Sequence, residues 1–281
     1  MSNADYNSCP MANNERPQIL LTNDDGINSP GLWVAAEALS SLGYVWVAAP
    51  REQSSGMGRS MPPTSDGIIT TQNITIHGKE WTIYAVGGTP AQTVQHAILE
   101  IMPTPPDLVV AGINYGTNFG TGVTISGTVG AAMEGASHDI PSLAVSLETE
   151  HKYHLSHSKE VDFKGAAYFT ALFAGQLLTK NFPEDVQVLK VEVPSNASAQ
   201  TPWVLTRLSR LRFYLPTAPK RASWSEPGST GYEQVPKASA FAEDTDVYTV
   251  VVKRQVAVTP MTTDLTSRVD IADLEKQLRD T

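Results

Sequence analysis

The chain of 281 residues contains only one cysteine, Cys9, which lies in a polar N-terminal stretch. A single cysteine cannot form an internal disulfide, and this composition is consistent with a reducing compartment. No apolar run approaches the roughly 20 residues that are needed to cross a bilayer. Residues Met1–Arg16 also lack the basic and apolar regions of a signal peptide. The sequence therefore predicts a soluble cytoplasmic protein without a membrane partner.

Basic residues are scarce as well, since 20 Lys and Arg stand against 29 Asp and Glu, for a formal net charge of −9 at pH 7. Proteins that bind nucleic-acid backbones use clustered Lys and Arg, so we expect no binding to nucleic-acid duplexes. A small anionic substrate is compatible with this charge if a metal ion supplies a positive field. With 41% hydrophobic residues, the chain can bury one large core and carry a smaller appended unit.

Three polar clusters each follow an apolar run that is typical of a β-strand. The clusters and the runs before them are Asn23-Asp24-Asp25-Gly26 after Gln18–Thr22, Ser54-Ser55-Gly56 after Tyr44–Ala49, and Asn114 after Leu108–Ala111. The carboxyl ends of parallel strands line one edge of a sheet, where ligands bind, so these clusters are expected to meet in space. Two carboxylates with a hydroxyl and an amide oxygen form the all-oxygen ligand set that Mg²⁺ or Mn²⁺ selects. This pattern predicts a metal-dependent enzyme.

Each member of this set also has a simpler explanation. One of Asp24 and Asp25 would cap the helix expected to begin near Pro30 while the other is solvated, which is the commoner role of an Asp pair. Ser55 and Asn114 are ordinary turn residues when they are taken alone. The metal-site interpretation depends on the joint position of these residues at neighbouring strand ends.

A glycine-rich stretch from Gly112 to Gly135 contains Ser126-Gly127-Thr128 at the start of an Ala-rich helix. Exposed amides at a helix amino terminus attract anions, and a hydroxyl adds a donor to phosphate. Ser126 is equally well explained as a helix N-cap, and the glycines around Asn118 as loop residues. Both interpretations of this stretch stay open.

The histidines His151, His154 and His157 recur at a three-residue spacing that resembles a metal site. They lie in a polar segment before a helix, and imidazole ligands match poorly with the oxygen cluster described above. This pattern favours a polar surface loop.

The order of the patterns predicts an open, mostly parallel α/β sheet. Ile68–Ile76 and Trp81–Val86 indicate a hairpin that leaves the main sheet, and Thr89-Pro90-Ala91-Gln92 indicates a capping box at the start of a helix. Ser142–Leu147 and Gln187–Val193 are predicted strands, and Val161–Leu178 is a predicted helix.

Three regions follow from these patterns. Residues 1–16 form a polar tail and residues 17–193 the α/β catalytic core, which is expected to close near Val193. Residues 194–281 form a β-rich extension, in which Val204–Leu208, Phe213–Leu215 and Val247–Val252 are strand-like, followed by a helix at Ile271–Leu278.

These residues also carry a resemblance to a known family. The run from Ile19 to Gly31, which contains Thr22-Asn23-Asp24-Asp25-Gly26, resembles the opening signature of the SurE family of survival-protein nucleotidases. Further matching segments follow in the same order. They are Ala48-Ala49-Pro50 with Ser54-Ser55-Gly56, Gly88-Thr89-Pro90, Ala111-Gly112-Ile113-Asn114 with Gly116 and Asn118, Ser126 to Gly135, and Val258-Thr259-Pro260 with Asp264-Leu265-Thr266. The resemblance is close over Ile19–Leu147 and weak between about Pro194 and Asp246.

The resemblance implies a Rossmann-like three-layer core with a C-terminal arm that is exchanged between subunits of a homodimer or homotetramer. It implies a phosphatase that hydrolyses nucleoside 5′- and 3′-monophosphates with one divalent metal ion. The family's metal ligands correspond to Asp24, Asp25, Ser55 and Asn114. Its phosphate-contacting segment corresponds to Ser126, Gly127 and Thr128, with Asn23 and Asn118 beside it.

The sequence departs from the family pattern at two positions. Arg51 stands where the family often has Asp, and Gln92 stands where Asp is usual after Gly-Thr-Pro. Neither change removes a ligand, but Arg51 is expected to affect substrate preference.

For the reaction, Asp24 or Asp25 is expected to orient water or accept its proton, and Asp25 as a phosphorylated nucleophile is the rival mechanism. A second function is a nucleotide-binding stress-response module with weak or no phosphatase activity. A dinucleotide cofactor fits less well, because no G-x-G-x-x-G follows the first strand.

Overall fold

The computed structural model describes residues 16–280 except 77, 155, 236, 238 and 239. Cys9 and nearly all of the expected N-terminal tail lie outside the described residues. None of the helices in the described part of the chain is both long and apolar enough to cross a membrane.

Eleven strands are present in the described residues. They are β1 Gln18–Thr22, β2 Tyr44–Pro50, β3 Ile69–Ile76, β4 Lys79–Val86, β5 Leu108–Tyr115, β6 Ser142–Leu147, β7 Val188–Val193, β8 Trp203–Leu205, β9 Tyr214–Thr217, β10 Gly231–Gln234 and β11 Val256–Met261. The α-helices are α1 Pro30–Leu39, α2 Pro90–His96, α3 Gly127–Ala136, α4 Lys164–Thr179, α5 Asp246–Val251 and α6 Ile271–Arg279. A π-helical turn, Ala97–Ile101, continues α2.

Nine strands form one sheet in the order β3-β4-β2-β1-β5-β6-β7-β11-β8. The six strands from β4 to β7 are mutually parallel, whereas β3 and β11 each pair antiparallel with their inner neighbour. Helices α1 and α4 pack on one face through residues such as Leu32 and Phe169. Helices α2 and α3 pack on the other face through residues such as Val94 and Ala131. The predicted Rossmann-like α/β architecture is confirmed.

Local sequence explains the elements that position the site. Strands β5, β6 and β7 are buried along their whole length, as expected for parallel strands covered on both faces. Helix α1 begins with Pro30, and Thr89 and Gln92 form the predicted capping box of α2. Helix α3 is rich in Gly and Ala, so it lies close to the sheet. A Cβ on Gly135 would stand 2.7 Å from the Val109 side chain.

Three expectations are wrong. The hairpin of β3 and β4 does not leave the main sheet but forms its edge, because β4 pairs parallel with β2. The sheet also does not close near Val193, since β11 and β8 extend it beyond β7. The segment Val247–Val252 is mostly helix α5. Its β-branched residues favour a strand, but the Thr245 N-cap and the burial of Val247 and Val250 override that preference.

Candidate active site

A tight turn after β1 places the two adjacent carboxylates. The Asn23 amide donates to the Gly26 carbonyl at 3.0 Å, and the Gly26 N–H donates back to Asn23 Oδ1 at 3.1 Å. Gly26 has a φ of +92°, a conformation that glycine adopts without strain. Both polar atoms of the Asn23 side chain therefore shape the turn that presents Asp24 and Asp25.

Asp24 faces the amino terminus of α3. The Thr128 hydroxyl donates to Asp24 Oδ1 at 2.6 Å, and the amides of Gly127 and Thr128 also bond this carboxylate. Burial raises the pKa of Asp24, and these hydrogen bonds only partly offset that rise. A Cβ on Gly127 would lie 2.6 Å from Asp24 Cβ, so glycine permits this close approach. The start of α3 thus supports the Asp24 charge.

Asp25 is completely buried beside Asp24. Its Oδ2 accepts the Tyr115 N–H at 3.3 Å, and the nearby Gln53 side chain favours the charged form and so lowers the pKa of this carboxyl. Its Oδ1 is buried and has no hydrogen-bond partner among the residues that the structure describes. Burial, followed by the neighbouring Asp24 charge, raises the pKa of Asp25 well above its ordinary value. Two buried like charges with an unpartnered oxygen are the environment that a bound cation stabilises.

Residues from two further strand ends meet this pair. The Ser54 N–H donates to the Asp24 carbonyl at 2.7 Å, and Ser55 follows as an exposed residue of the same turn. The pairing of β5 with β6 shifts register before Asn114, and the buried Asn114 amide donates to the Gly116 carbonyl at 2.7 Å. This bond orients the amide, so Asn114 Oδ1 remains as the acceptor. The Ser54 and Tyr115 N–H groups thus connect the ends of β2 and β5 to the Asp pair, whereas no hydrogen bond within the described residues joins the Ser55 or Asn114 side chain to either carboxylate.

The residues at this edge fit a hard cation. Over residues 16–280, with the gaps given above, no group of three or more His, Cys, Asp and Glu side chains is placed to hold a metal. The candidate set instead combines two carboxylates with a hydroxyl and an amide oxygen. Such oxygen donors suit Mg²⁺ or Mn²⁺ and are poor ligands for softer metals.

The other predicted phosphate contacts make defined bonds of their own. Ser126 Oγ accepts the Val129 N–H at 3.1 Å, so Ser126 is the N-cap of α3, and its own hydroxyl proton remains as a donor. The Asn118 amide donates to Ser146 Oγ at 2.9 Å.

Sequence reasoning missed the segment that lies against the Asp25 side of the site. His157 Nε2 is 2.8 Å from the Asp25 carbonyl oxygen, and the Gln53 amide lies 3.3 Å from the His154 carbonyl. A cavity of about 190 Å³ lies at this place and is lined by Asp25, Arg51, Gln53 and His157 among others. The regular histidine spacing was the available signal, but it was interpreted as a surface loop.

A buried cluster of charges behind the site was also missed. Lys190 Nζ lies 3.2 Å from Glu192 Oε1 and 3.0 Å from Asp246 Oδ2, and all three side chains have no exposed surface. Glu192 also accepts the Asn118 N–H at 3.1 Å, and Asp246 accepts the Gly120 N–H at 2.8 Å. The cluster therefore holds the loop after β5. The sequence signal for this cluster was the presence of Lys190 and Glu192 among the apolar residues of β7.

The fold and the site together define a Rossmann-like α/β protein with an acidic, oxygen-rich centre at the carboxyl edge of its sheet. A family profile described as "Survival protein SurE" matches residues 19–214. Because this match covers more than half of the chain, the protein belongs to the SurE family.

Relatives and a solved structure agree with this assignment. The chain is 40% identical over 263 residues to "5′-nucleotidase SurE" of Thermococcus kodakarensis, covering 93% of this chain and 98% of the relative. It is 42% identical over 262 residues to the protein of that name from Thermococcus gammatolerans, covering 93% and 96%. The crystal structure of the SurE protein from Aquifex aeolicus superposes with a TM-score of 0.73 at 31% identity, covering 93% of this chain and all of the other.

Proposed function

We propose that the protein is a metal-dependent phosphomonoesterase that hydrolyses nucleoside 5′- and 3′-monophosphates to nucleoside and phosphate. The similarity to relatives named 5′-nucleotidase supports this reaction class. The observation that carries the proposal is the buried, unpartnered Oδ1 of Asp25 beside a second buried carboxylate. A site built only to bind a phosphate has no need for two carboxylates, which would repel it.

In this proposal, Asp24, Asp25, Ser55 and Asn114 hold one Mg²⁺ or Mn²⁺ ion. When bound, this ion supplies charge stabilisation to the phosphoryl oxygens and lowers the pKa of water. Two hydrogen bonds support this role, because the Thr128 hydroxyl orients Asp24 and the Tyr115 N–H orients Asp25.

The residues of the protein take separate roles in the proposed in-line hydrolysis. Asp25, with its unpartnered Oδ1, accepts the proton of the attacking water or orients that water. Ser126, Gly127 and Thr128 lie beside the proposed phosphate position at the amino terminus of α3, where the helix dipole favours an anion. The Ser126 hydroxyl is the donor that remains for the phosphate, because the Thr128 hydroxyl and the Gly127 and Thr128 amides already bond Asp24. Asn23 and Asn118 complete the proposed phosphate-binding set. Asp25 as a nucleophile is the rival mechanism, and an acid-labile phosphoenzyme would favour it.

The first test of the proposal is phosphate release from a panel of nucleoside 5′- and 3′-monophosphates. We expect hydrolysis with Mn²⁺ or Mg²⁺ and none with EDTA, because the buried carboxylates alone repel the substrate. Colorimetric phosphate release with each metal, at equal protein concentration, gives the measurement. Absence of release from every ester and with every metal, from protein shown to be folded by circular dichroism, would contradict the proposal.

We further propose that the protein is cytoplasmic and that residues 194–281 serve in assembly as a homodimer or homotetramer. Helix α6 supports this role, because it has no buried residue and exposes Ile271, Leu274 and Leu278. Single apolar residues at a surface are common, but an entire apolar helix stripe indicates a partner.

Replacing Leu274 and Leu278 together with glutamate is expected to lower the oligomeric state. The charges would have to be buried in the interface, which is unfavourable without a partner charge. Light scattering coupled to size-exclusion chromatography measures the change in mass. Lys276→Glu on the same exposed helix is the matched control and should leave the mass unchanged. An unchanged mass for the double variant would exclude α6 from the interface.

A further inference from the structure

A second cavity, of about 720 Å³, opens at the carboxyl ends of β6 and β7. Its size lies in the range of pockets that bind small organic ligands. Aromatic and apolar side chains form much of its wall, including Leu147, His151, Tyr153, Val161 and Tyr232. The proposed catalytic residues do not line it, so the proposed reaction leaves this space without a role.

Gly116 joins this cavity to the candidate active site. Its N–H donates to the carbonyl of Leu147 at 2.8 Å, and its carbonyl accepts the Asn114 amide at 2.7 Å. A Cβ on Gly116 would lie 2.8 Å from His154 Nε2, so the absence of a side chain lets the histidine approach. One residue thus contacts both a proposed metal ligand and the cavity wall.

The hairpin of β9 and β10 is fixed beside the same junction. The hydroxyl groups of Tyr214 and Thr117 are 2.9 Å apart, and His154 Nδ1 is 3.0 Å from the Tyr232 hydroxyl. The rings of His151 and Tyr232 meet edge to face, with centroids 4.8 Å apart. Tyr232 is still 41% exposed, so part of its ring is available to a ligand. These contacts form an aromatic wall that is anchored to the active-site loop.

The charges around the cavity favour the sugar and base of a nucleotide over its phosphate. Glu148 is neutralised by Arg254, with contacts of 2.9 and 2.6 Å, and Glu150 pairs with Lys152 at 3.0 Å. The cavity lining among the described residues further contains Asp162 and Glu233 but no Lys or Arg. Acidic groups repel a phosphate and accept hydrogen bonds from sugar hydroxyls and base amino groups.

We infer that this cavity binds the nucleoside part of the substrate, with the base packed against the ring of Tyr232 and the edge of His151. The phosphate lies on the other side of Gly116, among the residues around Asp24 and Asp25. Aromatic rings suit such a role because every base presents a π-face for stacking. The inference rests on the proposed nucleotidase activity and names the part of the site that selects nucleotides.

The test compares Tyr232→Ala with the wild-type protein on AMP, GMP, CMP and UMP and on ribose 5-phosphate, which has no base. We expect KM for the nucleotides to rise roughly 10-fold, as loss of one stacking contact predicts. KM for ribose 5-phosphate should rise far less, and kcat should change little for every substrate. Steady-state phosphate release yields both constants.

Two further variants separate stacking from a general disturbance of the hairpin. Tyr232→Phe keeps the ring and loses only the hydroxyl contact with His154, so it should retain most of the preference for nucleotides. Trp224→Ala removes a 91% exposed aromatic residue from the connection between β9 and β10 and should have no effect. Equal KM increases for nucleotides and ribose 5-phosphate in Tyr232→Ala, or no increase for either, would overturn the inference.

A binding measurement keeps this test independent of turnover. Isothermal titration with adenosine, which carries no phosphate, should show binding to the wild-type protein that is weakened in Tyr232→Ala. If the protein bound adenosine in this way but released phosphate from no ester, the nucleotidase proposal would fail and the cavity assignment would stand. If it hydrolysed nucleotides no better than ribose 5-phosphate and bound no adenosine, the cavity assignment would fail and the phosphatase would stand.

Discussion

Replacing Asp25 with asparagine is expected to lower kcat/KM for nucleoside monophosphates by about 10³-fold, which corresponds to roughly 4 kcal/mol of lost transition-state stabilisation. The change removes one of the two carboxylates proposed to hold the cation. It also removes the oxygen proposed to orient the attacking water or accept its proton. The amide keeps the volume of the side chain, and its single oxygen can accept the Tyr115 N–H in place of the carboxylate Oδ2. The loss should therefore appear in catalysis and metal binding, without a decrease in folding stability.

The same substitution is expected to stabilise the metal-free protein by about 1 kcal/mol, because one of two buried like charges is removed. Thermal unfolding in EDTA measures this gain, and the rise in melting temperature on adding Mn²⁺ should be smaller in the variant than in the wild type. Asp185→Asn, at an exposed position, is the control for a lost surface carboxylate. A variant that kept both full activity and the full Mn²⁺ response would exclude Asp25 from the centre.

The strand-end pattern explains why the convergence of the site could be predicted from sequence. In a parallel sheet, residues directly after neighbouring strands lie at one edge whatever the details of the loops. Asp24 and Ser54 follow β1 and β2, and Asn114 lies within the last two residues of β5, which is adjacent to β1 in the sheet. Backbone N–H groups of Ser54 and Tyr115 connect these strand ends to Asp24 and Asp25. The roles of these residues in binding metal and phosphate remain proposals.

Contacts between segments that are distant in sequence could not be predicted in this way. His157 reaches Asp25 across 132 positions, and Asp246 reaches the Gly120 amide across 126. Neither contact follows from local periodicity, because each depends on how α5 and the segment after β6 pack onto the core. The same dependence on tertiary packing explains why α5 was wrongly predicted as a strand. Its valines favour a strand locally, but their packing with Phe119 and Phe213 stabilises a helix.

The strands at the edges of the sheet were a second source of error in the prediction from sequence. An antiparallel hairpin carries the same alternating pattern whether it stands apart or joins a larger sheet. In the pairing of β4 with β2, Val47 lies opposite Ile83, and only the tertiary structure determines this register. In the same way, the sequence after Val193 indicates strands but not that β11 returns to pair with β7.

Substitution of Lys190 by methionine is expected to lower the free energy of unfolding by about 3–5 kcal/mol, because it leaves two buried carboxylates without their cation. Burial alone would lower the pKa of Lys190, but the charges of Glu192 and Asp246 outweigh it and raise that pKa. A raised lysine pKa means that the pairing contributes fully below the unfolded-state value of about 10.5 and is lost only as the pH rises through the folded-state value. The full deficit should therefore be present at pH 7.

Urea unfolding at pH 7 measures this deficit, with Lys180→Met as a control at an exposed lysine. The double variant Lys190→Met/Glu192→Gln should recover part of the loss, because only the Asp246 charge then remains buried without a cation, and it keeps the Gly120 and Ser209 amides as donors. The deficit of the single variant should also shrink as the pH falls, since burial already raises the pKa of Glu192 and lets it take up a proton. A single variant as stable as the control would mean that the Lys190 charge does not contribute to stability. The bonds that Glu192 and Asp246 accept from the Asn118 and Gly120 N–H groups would then hold the loop after β5 without it.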